Sequence, residues 1–267
     1  MLNKRVVYEI PGMEGNCSRH DSVYKAVDGV ELKMAVYTPN RLAAGEKTPG
    51  ILFIHGGPFP SDISLLPTEW GQYISLGQLA AASGLIGATF HHRYHGLERL
   101  NESASDVGDA IKYLRENADS FGLDPDRLCL WAVSGGGPLL AAPMRRRPDY
   151  LKCIVAYYAR LDMRGSKAAE EVLGREALVA LSPVAALEEV DSLAIPIFVA
   201  RAGRDDPGLN QSIDDFIATA LSREVPLELH NHPQGPHAFD LLDDSPRSKE
   251  IIERTMAFAR LHLQAEV

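Results

Sequence analysis

Leu128–Ala142, with the sequence LCLWAVSGGGPLLAA, runs from an apolar stretch through one serine and three glycines into further small and apolar residues. Apolar side chains on both faces of the first half predict a central strand of a covered parallel sheet. The small residues Ala132 and Gly136 would let the chain turn sharply between them, which lifts Ser134 above a helix N-terminus. Amide N–H groups and the helix dipole stabilise negative charge there. The stretch therefore places a serine where the surroundings suit a nucleophile.

The same stretch allows two other interpretations. Ser134 could simply cap the following helix, with Gly135–Gly137 forming an ordinary loop. A phosphate-binding loop is disfavoured, because no Gly-Lys-Ser or Gly-Lys-Thr follows the glycines. The rest of the chain has to decide between a nucleophile and a helix cap.

Length and charge limit the class of protein. The chain has 267 residues, a hydrophobic content of 45% and a formal net charge of -9. A chain of this length commonly forms one domain, so we expect residues 1–267 to share one large core. The negative charge argues against binding to nucleic acid or to an anionic membrane surface. No apolar run approaches the roughly 20 residues that span a bilayer. A small-molecule partner is expected, and a homodimer is as compatible with the sequence as a monomer.

Cysteine usage and the N-terminal residues bear on the compartment. Cys17, Cys129 and Cys153 are an odd number in a chain too large to need disulfide bonds, which favours a reducing environment. Met1–Ile10 contains three charged residues within a short apolar stretch, so no signal-peptide hydrophobic region is visible. These observations predict a soluble, cytoplasmic protein.

Strand and helix patterns alternate after an opening hairpin. Asp28 and Gly29 predict a tight turn before Val30–Tyr37, whose apolar residues alternate with charged ones. Val107, Ala110, Ile111 and Leu114 recur at the spacing of one helix face. Repeated alternation of strands and helices predicts an α/β fold, with a mostly parallel, doubly wound sheet, helices on both faces and an antiparallel N-terminal edge.

In an open α/β sheet ligands bind beyond the carboxyl ends of the strands, so the loops there are the candidate sites. The first such loop reads His55-Gly56-Gly57-Pro58. Glycine amides can approach a developing oxyanion because no Cβ intrudes, whereas Pro58 has no N–H to donate. We expect Gly56 or Gly57, together with the amide of Gly135, to form an oxyanion hole, and His55 to brace the loop. The alternative is an ordinary glycine turn.

Two later loops carry groups for proton transfer. Free histidine has a pKa of about 6.5, so His237 can take a proton from a serine and return it to a leaving group. A carboxylate can orient that histidine and stabilise its protonated form. Asp205 and Asp206 both follow an apolar strand, and one of them is expected only to form an Asx turn or to be solvated. His230 and His232 are expected to be structural.

Histidines also raise the question of a metal site. The two candidate sets are His230, His232 and His237, and His91, His92 and His95. No cysteine or carboxylate at a suitable spacing completes either set, so we expect no metal site. We expect no organic cofactor either.

Together these motifs resemble the α/β-hydrolase superfamily, in particular serine esterases and lipases and dienelactone-hydrolase-like members. The segment Ala132–Gly136, AVSGG, is similar to the nucleophile elbow G-x-S-x-G, with alanine in place of the first glycine. HGGP at 55–58 resembles the HGG oxyanion loop, with proline where many members have a third glycine. GPHAF at 235–239 resembles the G-x-H-G-F loop that carries the general base. The resemblance covers the chain from about Val30 onwards.

The resemblance implies an activity and a choice of acid. Ser134, an aspartate and His237 follow the serine, acid, histidine order of the superfamily. The acid there often stands about three residues after a loop glycine, which selects Asp206 over Asp205. The implied protein is a serine esterase that cleaves carboxylic esters of small substrates through an acyl-serine intermediate. An amidase or exopeptidase-like hydrolase, and a non-catalytic ligand-binding member of the same fold, remain as alternatives.

The substrate pocket has only weak signals in the sequence. Phe59, Trp70 and Tyr158 are candidate substrate-binding residues, although buried packing is an alternative role for each. The segments 58–75 and 160–187 show no strand pattern, and we expect them to act as lid-like segments.

Overall fold

The computed structural model describes residues 2–41, 45, 47–60, 65–190 and 192–264. Within these residues one sheet has eight strands: β1 (Cys17–Val27), β2 (Val30–Pro39), β3 (Thr48–Ile54), β4 (Ile86–Phe90), β5 (Leu123–Val133), β6 (Leu151–Tyr157), β7 (Ile197–Ala202) and β8 (Leu227–His232). Their order across the sheet is β1-β2-β4-β3-β5-β6-β7-β8. β2 pairs antiparallel with both β1 and β4, and all other neighbours are parallel. The predicted sheet with its antiparallel N-terminal edge is confirmed.

Helices cover both faces of this sheet. They are α1 (Gly71–Ala82), α2 (Leu100–Glu116), α3 (Ala118–Phe121), α4 (Ala141–Arg146), α5 (Lys167–Leu173), α6 (Arg175–Ala180), α7 (Pro183–Glu189), α8 (Pro207–Ser222), α9 (Phe239–Leu242) and α10 (Pro246–Gln264). α1 and α10 pack into the core on one face, and α2 and α8 into the core on the other. The doubly wound architecture is therefore also confirmed. Among the helices described, none has the length and apolar character needed to cross a bilayer.

β5 shows why the predicted central strand belongs in the middle of the sheet. Successive residues of this strand enter opposite cores: Leu128, Leu130 and Ala132 lie in one, and Cys129, Trp131 and Val133 in the other. A strand buried on both faces needs apolar residues at every position, which is the pattern of this stretch. Ser134 follows immediately, at the carboxyl end of the sheet.

Two other local predictions are confirmed. Asp28 and Gly29 connect β1 to β2 with φ values of 51° and 76°, the left-handed region that a two-residue hairpin turn requires. The periodic apolar residues of α2 are all buried, namely Val107, Ala110, Ile111 and Leu114. Turn chemistry and helical period therefore place these elements correctly.

One prediction needs correction, and two further features follow from the structure. The chain after Ser134 first forms a 3₁₀ turn, Ser134–Leu140, because Pro138 lacks the N–H of a regular helix, and α4 begins only after it. β7 begins at Ile197, directly after Pro196, which cannot donate to a sheet ladder. The first residues do not join the edge of the sheet. They pack beside α1, where the Val6 N–H donates to the Ser75 hydroxyl at 3.0 Å.

Candidate active site

The corner between β5 and the 3₁₀ turn holds Ser134 in an uncommon backbone conformation. Its φ is 52°, a left-handed value that non-glycine residues rarely adopt. The turn packs against the glycine loop that follows β3, and there is no room for side chains between them. A Cβ on Gly136 would lie 2.7 Å from the His55 carbonyl oxygen, and one on Gly56 would lie 2.9 Å from the Ser134 Cβ. A Cβ on Gly135 would overlap the Gly57 carbonyl. Glycine is thus required at each of these positions.

His237 reaches Ser134 from the loop between β8 and α9. Its Nε2 lies 3.0 Å from the Ser134 Oγ. The following residue, Ala238, has a φ of 56°, so the chain turns sharply just after the imidazole. The structure therefore brings together two predicted site residues that are 103 positions apart in the sequence.

The carboxylate beside His237 belongs to Asp205 and not to Asp206. Asp205 Oδ2 accepts a hydrogen bond from His237 Nδ1 at 2.7 Å, and its Oδ1 accepts one from the Asp206 backbone N–H at 2.7 Å. Asp206 instead is the N-cap of α8, where its Oδ1 accepts from the Leu209 N–H at 2.9 Å. The expectation for Asp206 is corrected accordingly. A capping aspartate followed by Pro207 at the first helical position is a sequence signal that could have separated the two.

These contacts fix the tautomer of His237. A carboxylate only accepts hydrogen bonds, so the hydrogen of the neutral ring lies on Nδ1, towards Asp205. Nε2 is then free to accept the hydroxyl proton of Ser134. The side chain of Asp205 is 5% exposed, whereas that of His237 is 39% exposed. The carboxylate is thus sheltered from water while the imidazole remains accessible.

An apolar cavity of about 250 Å³ opens in front of Ser134 and His237. Its walls come from the glycine loop, the first turn of α1, the elbow, the start of α9 and the N-terminal segment: Leu2, Gly56, Gly57, Pro58, Phe59, Trp70, Gln72, Tyr73, Val133, Ser134, Tyr158, His237, Ala238 and Leu241. The three predicted wall residues Phe59, Trp70 and Tyr158 are among them. No lining residue comes from 160–187, so that part of the lid expectation has no support in the cavity walls.

Sequence reasoning missed several of these walls. Leu2, Gln72, Tyr73 and Leu241 carry no motif, and only the tertiary packing of α1 and α9 brings them to the cavity. The segment 58–75 does contribute, although its residues 61–64 lie outside the described part of the chain.

A buried polar network lies behind the cavity. Asp240, on α9, accepts hydrogen bonds from the Tyr158 hydroxyl at 2.7 Å and from Gln72 Nε2 at 2.8 Å. Burial raises the pKa of the Asp240 carboxyl, although these two donors and the nearby His237 act in the opposite direction. The Tyr158 ring stands edge-on to His237, with the ring centroids 4.8 Å apart. The network therefore holds one wall of the cavity directly against the imidazole.

The remaining histidines do not converge on Ser134. His230 Nε2 contacts Glu228 at 2.8 Å, and His232 Nε2 contacts Asp243 at 2.8 Å, both at β8. His55 Nδ1 donates to the Gly56 carbonyl at 2.7 Å, inside the glycine loop. Across the described ranges, no three His, Cys, Asp or Glu side chains are grouped so that they could hold a metal ion.

Fold and site together define the class of this protein. A strand–turn corner that carries a serine, on a parallel sheet of this order, with a histidine and an aspartate from later loops, is the α/β-hydrolase fold. Residues 34–146 match the family model described as BD-FAE. In structure the chain is similar to esterase 2 from Thermogutta terrifontis in its propionate-bound form, with a TM-score of 0.77, 19% identity, and 96% of this chain and 98% of that chain covered.

Curated relatives match over a shorter stretch. The chain is 30% identical to the para-nitrobenzyl esterase of Bacillus subtilis (strain 168) over 122 residues, which is 42% of this chain and 24% of the relative. It is 25% identical to gut esterase 1 of Caenorhabditis elegans over 166 residues, which is 56% of this chain and 28% of that protein. The chain thus spans about a quarter of the length of the curated relatives it matches.

Buried histidines beside the glycine loop make stability sensitive to acid. Burial and the neighbouring His95 lower the pKa of His91 from 6.5 to about 4. The unfolded chain binds a proton at this residue below about pH 6.5, whereas the folded chain does so only near the lowered pKa, so stability falls as pH falls. At pH 5 this single group costs about 2 kcal/mol of unfolding free energy.

We therefore expect His91→Asn to lose less stability between pH 7.5 and pH 5 than the parent, by about 2 kcal/mol. Urea unfolding at the two pH values measures the difference. The exposed edge-strand residue His20 provides the control variant, His20→Asn, which should retain the parent's pH dependence. Equal pH dependence for His91→Asn and the parent would contradict the assignment of acid sensitivity to this buried ring.

Proposed function

We propose that the protein hydrolyses small carboxylic esters through an acyl-serine intermediate. The observation that carries the proposal is the set of hydrogen bonds that joins Ser134 to His237 and His237 to Asp205. Ser134 and His237 line an apolar cavity, as do the glycines Gly56 and Gly57. A helix-capping role explains neither the positive φ of Ser134 nor the imidazole 3.0 Å from its hydroxyl. The esterase and lipase names of the partial relatives support the same activity.

The geometry suggests how each proton moves. Ser134 Oγ attacks the ester carbonyl while His237 Nε2 takes the hydroxyl proton, and Asp205 stabilises the imidazolium that forms. Collapse of the tetrahedral intermediate breaks the bond to the alcohol oxygen, which leaves with that proton. Water then attacks the acyl-serine and gives a proton to His237. The carboxylic acid departs as the proton returns to Ser134.

The tetrahedral oxygen needs donors at the moment when it becomes negative. We assign this role to the amide of Gly135 and to those of Gly56 and Gly57. The close packing of the loop against the elbow supports the assignment, because amides without side chains can approach the oxygen. Pro58 lines the cavity but has no N–H, so it adds only an apolar wall.

The cavity favours small acyl groups. Its volume of about 250 Å³ exceeds that of a cavity of about 150 Å³ known to bind benzene, but leaves little space for a long chain. Structures of the T. terrifontis esterase 2 are described as propionate-bound and butyrate-bound, which supports short acyl groups for this chain as well. We further propose that 58–60 and 65–75 form a lid over this cavity.

A cytoplasmic location completes the proposal. Cys17, Cys129 and Cys153 are free thiols in the structure, which suits a reducing compartment.

The first test removes the nucleophile. Ser134→Ala deletes the attacking oxygen, so kcat/KM for p-nitrophenyl butyrate should fall by about 10³-fold or more, with the same thermal unfolding midpoint. A fluorophosphonate probe should label the parent at Ser134 and fail to label the variant. Turnover retained by Ser134→Ala, or an unlabelled parent, would contradict the proposal. An unlabelled, inactive parent would favour a ligand-binding protein.

A second test separates the two aspartates. Asp205→Asn removes the carboxylate charge from His237 Nδ1, and we expect kcat to fall by about 10³-fold or more. Asp206→Asn is the matched control, since asparagine also caps a helix and should retain activity within about two-fold. Steady-state kinetics of both variants with p-nitrophenyl butyrate give the comparison. A larger loss in Asp206→Asn would reverse the assignment.

A third test changes the cavity. Leu2 lines it, so Leu2→Ala should admit longer acyl chains and shift the preferred p-nitrophenyl ester by about two carbons. The control is Leu221→Ala, an identical change at an exposed position on α8. A series of esters from acetate to decanoate measures the preference. The same profile for both variants would mean that Leu2 does not limit the acyl site.

A further inference from the structure

Histidines cluster on the side of the glycine loop that faces away from the cavity. His55 directly follows β3, and His91, His92 and His95 follow β4, the neighbouring strand. The His55 and His92 rings are parallel within 1°, and their centroids are 3.5 Å apart. Both side chains are fully buried. The proposed reaction leaves His92 without a role.

Hydrogen bonds fix how the stacked pair is protonated. The His92 backbone N–H donates to His55 Nε2 at 3.2 Å, so that nitrogen carries no hydrogen. The hydrogen of His55 is therefore on Nδ1, which donates to the Gly56 carbonyl at 2.7 Å. His92 Nε2 lies 3.1 Å from the His55 carbonyl, which only accepts, so His92 carries its hydrogen on Nε2. Two hydrogen bonds thus join the residues: one from the His92 backbone to the His55 ring, and one from the His92 ring to the His55 backbone.

The pair stays neutral over the working pH range. Burial lowers the pKa of His92 to about 3 and that of His55 well below its usual value. The neighbouring His91 and His95 lower the pKa of both rings further, because like charges repel. The hydrogen-bond pattern around Gly56 therefore does not change when His237 gains and loses its proton.

The carbonyl that His92 holds lies between the loop and the elbow. A Cβ on Gly136 would approach the His55 oxygen to 2.7 Å, so this carbonyl packs directly on the turn that carries Ser134. The His92 ring donates a hydrogen bond to that carbonyl, and the His92 backbone N–H donates one to the His55 ring. His55 in turn holds the next carbonyl, that of Gly56. Rotation of the peptide between His55 and Gly56, which carries the Gly56 amide, would break this series of bonds.

We propose that His92 is a positioning residue that holds the Gly56 and Gly57 amides in place through His55. The proposal rests on the proposed esterase function, since it concerns the amides assigned to the oxyanion. Preorganised donors stabilise the transition state because they do not need to reorient when charge appears. Loss of the His92 ring donor should therefore lower kcat and leave substrate binding nearly unchanged.

The experiment compares three substitutions of His92. In His92→Gln the amide nitrogen can take the place of Nε2 and donate to the His55 carbonyl. In His92→Asn the shorter amide reaches only the place of Nδ1, and His92→Leu has no donor. We expect His92→Asn and His92→Leu to lower kcat for p-nitrophenyl butyrate by about 10- to 100-fold, with KM within about two-fold. His92→Gln should remain within about five-fold of the parent.

Controls separate positioning from stability. His91→Asn changes a buried neighbour whose ring nitrogens have no hydrogen-bond partner among the described residues, so kcat should stay at the parent's value. Titration of active sites with a fluorophosphonate counts the folded enzyme, so that kcat refers to competent sites only. Should His92→Leu fail to fold, the contrast between His92→Gln and His92→Asn still decides the question.

The outcomes are distinguishable. A parent without turnover or labelling refutes the proposed function, and this inference with it. An active parent whose His92→Asn variant keeps the same kcat, or whose His91→Asn variant loses as much, refutes the positioning role alone. A higher KM with unchanged kcat also overturns it, because a misplaced oxyanion loop acts on the transition state.

Discussion

The site depends on one close backbone contact, between the glycine loop after β3 and the elbow after β5. These strands are neighbours in the sheet, so the two loops leave it side by side at the same edge. A Cβ on Gly135 would overlap the Gly57 carbonyl, and one on Gly136 would reach the His55 carbonyl. Gly135 and Gly136 of the elbow and the HGGP loop are thus two halves of one packing constraint. Only backbone without side chains can bring amides next to Ser134, and the central strands hold that backbone in place.

The fold was predictable, and so was the side of the sheet on which Ser134 and His237 lie, because both follow from local signatures. Buried strands, helix periods and small residues around a corner are properties of short segments, and they place both residues on loops that the structure brings together, with the two side chains 3.0 Å apart. The aspartate that contacts His237 was not predictable by counting from a glycine. Asp206 precedes Pro207 and takes the N-cap of α8, which turns its side chain towards the helix amides. Asp205 is thereby left to face His237. A choice between adjacent aspartates thus depended on where a helix begins, a feature that the motif does not contain.

The cavity walls were less predictable because they depend on contacts between distant parts of the chain. Leu2 reaches the cavity since its carbonyl accepts a hydrogen bond from the Gly71 N–H at 2.7 Å, at the start of α1. Asn3 and Lys4 pack so closely that a Cβ on Gly71 would lie 2.6 Å from both carbonyl oxygens. No pattern within the first residues indicates this docking. The segment 160–187 has no strand pattern in its sequence, and the structure forms the helices α5 and α6 and most of α7 there. The sequence alone could not show that this segment contributes no cavity wall.

Three residues with a strained backbone conformation line the same cavity. Ser134, Tyr158 and Ala238 all line it, and all have positive φ values, 52°, 35° and 56°. Such conformations cost on the order of 1–3 kcal/mol each and persist only where the surroundings leave no alternative. Here the surroundings are specific: the Tyr158 N–H donates to the Ala200 carbonyl at 2.7 Å, and the Arg160 N–H to that of Ser134 at 3.0 Å. Because these bonds extend the parallel ladder beyond the ends of β5 and β6, the central strands of the sheet hold Ser134 and Tyr158 in these conformations. The Ser134 hydroxyl and the Tyr158 wall are therefore fixed by the core of the fold rather than by the loops themselves.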